Sequence, residues 1–237
     1  MKTRFRNIVM QRYTKRILAF LSILRYIAFL KKLQQDSIIQ LSQRKLKMNK
    51  TICVYSSSSD AVSEHYFEAA RELGSLIGER RYTMIYGAGN IGLMGRLALA
   101  VHQYGGKVVG VIPEFLNNFG LAYEAADEII VTTGMRERKA VMEQRADAFI
   151  ALPGGFGTLE EMLEVITLKQ LQLHRKPIVF INTLNFYEKL FQQFEHLFRE
   201  SFAKEDQRKL YTVVANAQEA LAYIDTYQPP ALQKKWF

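Results

Sequence analysis

Two segments of this 237-residue sequence put charged side chains beside glycine-rich turns, the arrangement that anion chemistry needs. In PGGFGTLEE at 153–161, Pro153 stops an apolar run, Gly154, Gly155 and Gly157 make a flexible turn around Phe156, and a helical pattern starts near Thr158. The first amides of a helix have no partner inside it and its dipole favours negative charge, so this corner could hold a phosphate. Thr158 and Glu161 also fit the T-x-x-E capping box, a purely local role. Glu160 and Glu164, one turn apart on a neighbouring face, read as solvent-facing carboxylates.

The second segment, TTGMRERKAVM, places Arg136, Arg138 and Lys139 in the first turns of another helix. Cations there oppose the helix dipole. The cluster is either a solvated basic face or the partner of an acidic ligand or a carboxylate of the chain itself. A third corner, GAGNIGLMG, carries G-x-G-x-x-G at Gly87, Gly89 and Gly92, after a strand pattern and before a helical one. A dinucleotide site would also place an acid about 20 residues on, for the ribose hydroxyls. Lys107 stands near that place and no carboxylate follows before Glu114, so a dinucleotide is disfavoured. The backbone of that turn still suits a phosphate, or serves packing alone. The fourth corner is Ser56 to Ser59, with Ser57 and Ser58 as candidate contacts.

These corners need elements to hold them. Strand-like runs fall at 51–55, 82–86, 107–112, 128–132, 148–152, 178–182 and 212–215. Helical spacing fills most of the gaps, as at 61–80, where Phe67, Ala70, Leu73, Leu76 and Ile77 share a face, and at about 93–104. Alternating β and α with short continuous apolar strands predicts a parallel sheet covered on both faces: a three-layer α/β/α, doubly wound, Rossmann-like domain. Ligands bind such sheets outside the carboxyl ends of the strands, where all four corners lie.

Nearly half the residues are apolar (49%), so the chain has material for a full core, and the net charge is +9. That charge is uneven: residues 1–47 hold 12 of the 32 Lys and Arg but only one of the 23 acids, Asp36. The remainder is slightly acidic, which argues against a nucleic-acid partner. The basic extension lacks a signal-peptide cleavage pattern and is too short in apolar run to span a membrane. It fits a basic amphipathic helix lying on an anionic membrane surface through Ile17, Phe20, Leu21, Leu24, Ile27 and Phe29, a loosely ordered tail, or a stretch upstream of a working protein that begins at Met48. Cys53 is the single cysteine and the four histidines are scattered, so no disulfide framework or metal site is expected and a reducing cytoplasm suits the chain.

PGGFGTLEE, with Arg138 of MRERK 23 residues before Glu161, resembles the P-G-G-x-G-T-x-x-E signature of the LOG family, the cytokinin riboside 5′-monophosphate phosphoribohydrolases, often labelled lysine decarboxylases. GAGNIGLMG and the serine corner follow the family in order and spacing, over about residues 49–227. The resemblance implies a cofactor-free enzyme, usually dimeric, that cleaves the N-glycosidic bond of nucleoside 5′-monophosphates such as AMP to a free base and ribose 5-phosphate. It assigns catalysis to Arg138 and Glu161 and nucleotide contacts to Lys139, Gly155 to Thr158 and Thr167. Gly154, Gly87 and Gly89 complete the expected pocket. Arg136, Ser56-Ser57 and Gly120 stand where the family commonly has His, Cys-Gly and Glu, departures that bear on base preference and the ribose pocket. The rival expectation is a non-catalytic carrier of a phosphorylated ligand, like the related molybdenum-cofactor carriers, which would have no need for Arg138 and Glu161 to face each other.

Overall fold

Residues 51–55, TICVY, are apolar at nearly every position, as a strand covered on both faces must be. In a computed structural model, which describes residues 50–231, they form the central strand β1 (Thr51–Tyr55) of a seven-stranded sheet. The others are β2 (Thr83–Tyr86), β3 (Lys107–Pro113), β4 (Glu128–Thr132), β5 (Ala148–Ala151), β6 (Ile178–Ile181) and β7 (Thr212–Val214). Every pairing is parallel and the spatial order is β4-β3-β2-β1-β5-β6-β7. The basic segment 1–47 and its proposed membrane contact lie outside the described residues. Among the described residues no helix is long and apolar enough to cross a membrane.

Alternate side chains of each strand go to opposite layers. Ile52 and Val54 meet Met84, Val108 and Ile150 under helices α1 (Glu64–Glu79), α2 (Gly92–Gln103) and, after the last strand, α7 (Ala217–Thr226). Cys53 and Tyr55 face the other way, into a cluster with Ile85, Val109, Phe149 and Phe180. That layer is closed by α4 (Met135–Arg145), α5 (Phe156–Gln170) and α6 (Glu188–Arg199); α3 (Glu114–Asn117) is a single turn after β3. The three-layer, doubly wound expectation holds, with element ends shifted by a few residues.

The order of strands sets the site. The chain winds outward from β1 through β2 and β3 to β4, then returns to the other side of β1 as β5. The connections leaving β1 and β5 therefore diverge, and a crevice opens between them at the carboxyl edge.

The opposite edge is tied by Asp225 near the end of α7. Its carboxylate accepts hydrogen bonds from the Tyr82 hydroxyl and from Lys50 Nζ (3.1 Å), with Arg80 Nε 3.5 Å away. Burial alone would raise the Asp225 pKa, but the bonds from Tyr82 and Lys50 outweigh it and hold it below the usual value. Asp225→Asn is expected to cost about 1–2 kcal/mol near neutral pH. A depressed carboxylate pKa contributes stability above the unfolded-state pKa and loses it as pH falls through the folded one. Urea melts at pH 7 and pH 3 should therefore show a difference between wild type and variant at pH 7 that shrinks at pH 3.

Candidate functional site

Arg138 and Glu161 reach the same point from helices on separate crossovers. Arg138 lies in the first turn of α4, after β4, and Glu161 in the second turn of α5, after β5. Arg138 Nη1 donates to Glu161 Oε1 at 2.7 Å and Arg138 Nε to the Val111 carbonyl at 3.0 Å. Both side chains are 10% exposed. A charge in such a place is tolerated only when paired and hydrogen-bonded. Burial pushes the Glu161 carboxyl above the usual carboxylate range, against the pull of Arg138.

Gly87, just beyond β2, makes room for the guanidinium: a Cβ there would lie 2.1 Å from Arg138 Nη2. The same turn carries Ala88 in the left-handed region (φ +63°), a strained conformation for a residue with a side chain. It is fixed by Tyr123 N donating to Ala88 O (2.8 Å), Asn90 N to Leu121 O (3.0 Å) and the bridge of Gly89 to Ala122. These bonds hold Leu121 at the rim.

The pair lies in a cleft of about 320 Å³. Its floor holds Tyr55 at the end of β1, Ser56 and Ser58 beyond it, Gly87 and Gly89 beyond β2, and Gly157, Thr158 and Glu161 of α5. The remainder is largely apolar: Ile91, Met94, Ile112, Leu116, Leu121 and Met135. The Ser56 hydroxyl is buried there without a hydrogen-bond partner, an acceptor and donor left for a ligand.

The two glycine corners divide the work. At α2, Gly92 N donates to Asp60 Oδ1 (3.0 Å), and Leu93 N and Met94 N to the Ser57 carbonyl (3.0 and 3.3 Å). Those amides are occupied by the chain's own oxygens, so the G-x-G-x-x-G run closes a turn here. Gly92 is required by it, with φ +63° and the position of a Cβ only 2.4 Å from the Ser58 carbonyl carbon. At α5, Gly155 is the N-cap and no side chain caps the helix. The first amide bonded back is that of Leu159, to Gly155 O at 3.1 Å, leaving those of Phe156, Gly157 and Thr158 as the open end of the dipole.

The capping box weighed from sequence is not formed. The helix starts at Phe156, two residues early, so Thr158 is its third residue, and Glu161 turns to Arg138 instead of back to the helix start. Glu160 and Glu164 are not simply solvent-facing either. Both take Lys139 Nζ, at 2.7 Å for Glu164, and bind α4 to α5 beside the buried pair. Arg138 and Lys139 of the basic cluster are thus answered by carboxylates of the chain.

Of the residues singled out from sequence, Arg138, Glu161, Thr158, Gly157, Gly87, Gly89 and Ser58 line the cleft. Ser57 lies behind it, its carbonyl capping α2 and its hydroxyl accepting from Ser59 N. Gly154 is buried under Thr158, while Gly155 and Phe156 are on the surface, Phe156 at 93% exposure. Thr167 bonds its hydroxyl to the Leu163 carbonyl (2.8 Å) on the outer face of α5. Ser56 entered the sequence reading only as part of the serine corner and as a departure from the family, and the apolar wall was not singled out; isolated Leu, Ile and Met residues carry no signal that distinguishes wall from core.

Comparison with known proteins places the chain among relatives of one kind. A family model described as "Possible lysine decarboxylase" matches residues 94–224. The rice cytokinin riboside 5′-monophosphate phosphoribohydrolase LOG (Oryza sativa subsp. japonica) is 43% identical over 178 residues, 75% of this chain and 74% of that protein. The Arabidopsis thaliana enzyme of the same name, LOG5, is 41% identical over 180 residues, covering 76% and 79%. Among solved structures, the molybdenum cofactor carrier protein of Chlamydomonas reinhardtii superposes with a TM-score of 0.57 at 23% identity, over 74% of this chain and 96% of that one, a likeness of fold.

Arg138→Met should leave Glu161 buried without its counter-charge and cost about 3–5 kcal/mol at pH 7. With the guanidinium gone, the native state binds a proton more tightly than the unfolded chain, so the variant gains stability as pH falls. Denaturant titrations at pH 7.5 and 5.5 are expected to show the deficit narrowing at the lower pH.

Proposed function

Because the chain belongs to the LOG family, whose relatives carry the name cytokinin riboside 5′-monophosphate phosphoribohydrolase, we propose that it hydrolyses the N-glycosidic bond of nucleoside 5′-monophosphates, AMP or its N6-substituted forms. The products are a free base and ribose 5-phosphate. The observation that carries this reading is the Arg138–Glu161 pair, closed at 2.7 Å on the floor of a cleft with an apolar wall.

Breaking the bond leaves its electron pair on the base and develops oxocarbenium charge at C1′ of the ribose. A carboxylate stabilises that charge and orients the attacking water, a role for Glu161. Arg138 stays protonated and is a poor proton donor; it holds the carboxylate and grips substrate. The 5′-phosphate meets the open amides of Phe156, Gly157 and Thr158, where the helix end favours an anion. Ser56 and Ser58 lie within the same cleft for ribose hydroxyls. The base rests among Ile91, Met94, Leu121 and Met135, a wall that rewards an apolar substituent on it.

Among the described residues no lysine lines this cleft, so decarboxylation through an imine to pyridoxal lacks its amine there. A carrier of a phosphorylated ligand needs the open helix end but gives no reason to bury an ion pair beside it. A homodimer in the cytoplasm belongs to the same reading. Phe156 at 93% exposure, with Leu163 and Met135 at 43% and 42%, gives apolar surface next to the cleft for a second copy.

Incubation with AMP and with an N6-alkylated AMP, followed by chromatography for free base, is the direct test. Release of base should fall at least about 100-fold in Glu161→Gln. Since Glu161 acts ionised and burial raises its pKa, kcat should decline on the acid side with a midpoint above the ordinary carboxylate value. An undiminished rate in Glu161→Gln removes the assigned role.

A further inference from the structure

The second cavity of interest lies at the other end of α5. Lys169, in the last turn of that helix, is eight residues beyond Glu161, about 12 Å along the axis. It is 2% exposed, as buried as the core. Its ammonium donates to the Leu210 carbonyl at 2.8 Å and stands 5.1 Å from the centre of the Tyr227 ring. An ammonium has three donors, and one carbonyl uses one. Among the described residues Lys169 has no carboxylate partner, although burying an unpaired charge is costly. Burial alone pulls its pKa down to about 8.

Lys169 lines a cavity of about 350 Å³, within the size range of small-molecule sites. The walls add Arg175, exposed and without an ion pair among the described residues, and no Asp or Glu. His174 contributes neither charge nor a free donor: Nε2 bonds the Val165 carbonyl (2.9 Å), Nδ1 accepts from Lys176 N (3.2 Å), and burial pushes its pKa down to about 4. The Tyr227 hydroxyl is buried with no hydrogen-bond partner. Pro229 and Pro230 supply a rigid apolar side.

Among the described residues two cations, an unpartnered phenol and no acid line this cavity, a lining that favours an anion. We propose that it binds a small phosphate ester or carboxylic acid, with Lys169 and Arg175 on the anionic group and the carbon skeleton against Tyr227 and the two prolines. The site is separate from the Arg138–Glu161 cleft and does not rest on the hydrolase reading. Inorganic phosphate would fill only part of it, which is why the ligand is taken to be an organic anion.

The test is a set of ¹H–¹⁵N correlation spectra of the full chain titrated with glycerol 3-phosphate, with citrate, and with sodium chloride at matched ionic strength. The expected result is saturable movement of the Leu173, Arg175, Tyr227 and Gln228 amides with at least one of the two organic anions and not with chloride. Which of them saturates separates a phosphate site from a carboxylate site. Lys169→Met should weaken binding at least about tenfold, the loss of a charge-assisted hydrogen bond. It should also melt higher than wild type in anion-free buffer, because it removes a buried unpaired charge. Arg175→Gln, on an exposed side chain, should weaken binding severalfold and keeps the test open if the first variant does not fold. Shifts that follow ionic strength alone, shifts confined to Phe156–Thr158, or binding unchanged by both substitutions would overturn the proposal.

Discussion

A guanidinium and a carboxylate, each nearly withdrawn from water, are tolerable only in each other's company, and the carboxyl edge of this sheet is built around that requirement. Arg138 follows β4 and Glu161 follows β5, strands separated by β3, β2 and β1 in the sheet. Their bond at 2.7 Å can form only when the intervening strands are in register. The guanidinium is also held by the Val111 carbonyl of β3 and passes where Gly87, after β2, has no side chain. One ion pair thus depends on three connections and strand β3 being placed correctly, and among the described residues it gives the cleft its buried charges.

Around that pair, similar sequence signals end in different physics. Both glycine corners lead from a strand into a helix, yet α2 has its first amides occupied by Asp60 and the Ser57 carbonyl, while α5 leaves its own open. The difference lies in what the neighbouring connection brings. The serine segment after β1 folds back over α2 and caps it, and among the described residues no side chain caps α5. The anion-seeking helix end and the buried carboxylate therefore come from the same helix, a little over one turn apart. That spacing suits a substrate with a phosphate and a reacting carbon on one sugar.

The charge distribution is organised in the same local way. Lys139 joins Glu160 and Glu164 at the flank of the buried pair, so the basic cluster and acidic helix that looked independent are one interface between α4 and α5. At the far end of α5, Lys169 has no such carboxylate among the described residues. The helix that supplies Glu161 near its start thus ends at a second buried charge.

Much of this was legible in the residues alone. Consecutive apolar runs such as VVGVI and AFIAL can only be strands covered on both faces, and their alternation with helical spacing leaves a doubly wound sheet as the way to bury them. The glycine turns of PGGFGTLEE pointed to the carboxyl edge, because a strand-to-helix turn is a local feature, whereas Arg138 and Glu161 were joined as a pair only by the resemblance to the LOG family. What required tertiary structure was every property decided by a partner distant in sequence. Thr158 and Glu161 fit a capping box until Arg138, 23 residues away, takes the carboxylate. Two helix starts look equally open until one is capped by Ser57. Leu121, Met135 and Met94 are ordinary apolar residues until folding lines them along one wall. Sequence fixes which groups are present and how each segment folds; only the assembled sheet fixes which of them lose water together, and that sets both the reactivity of Glu161 and the unanswered charge of Lys169.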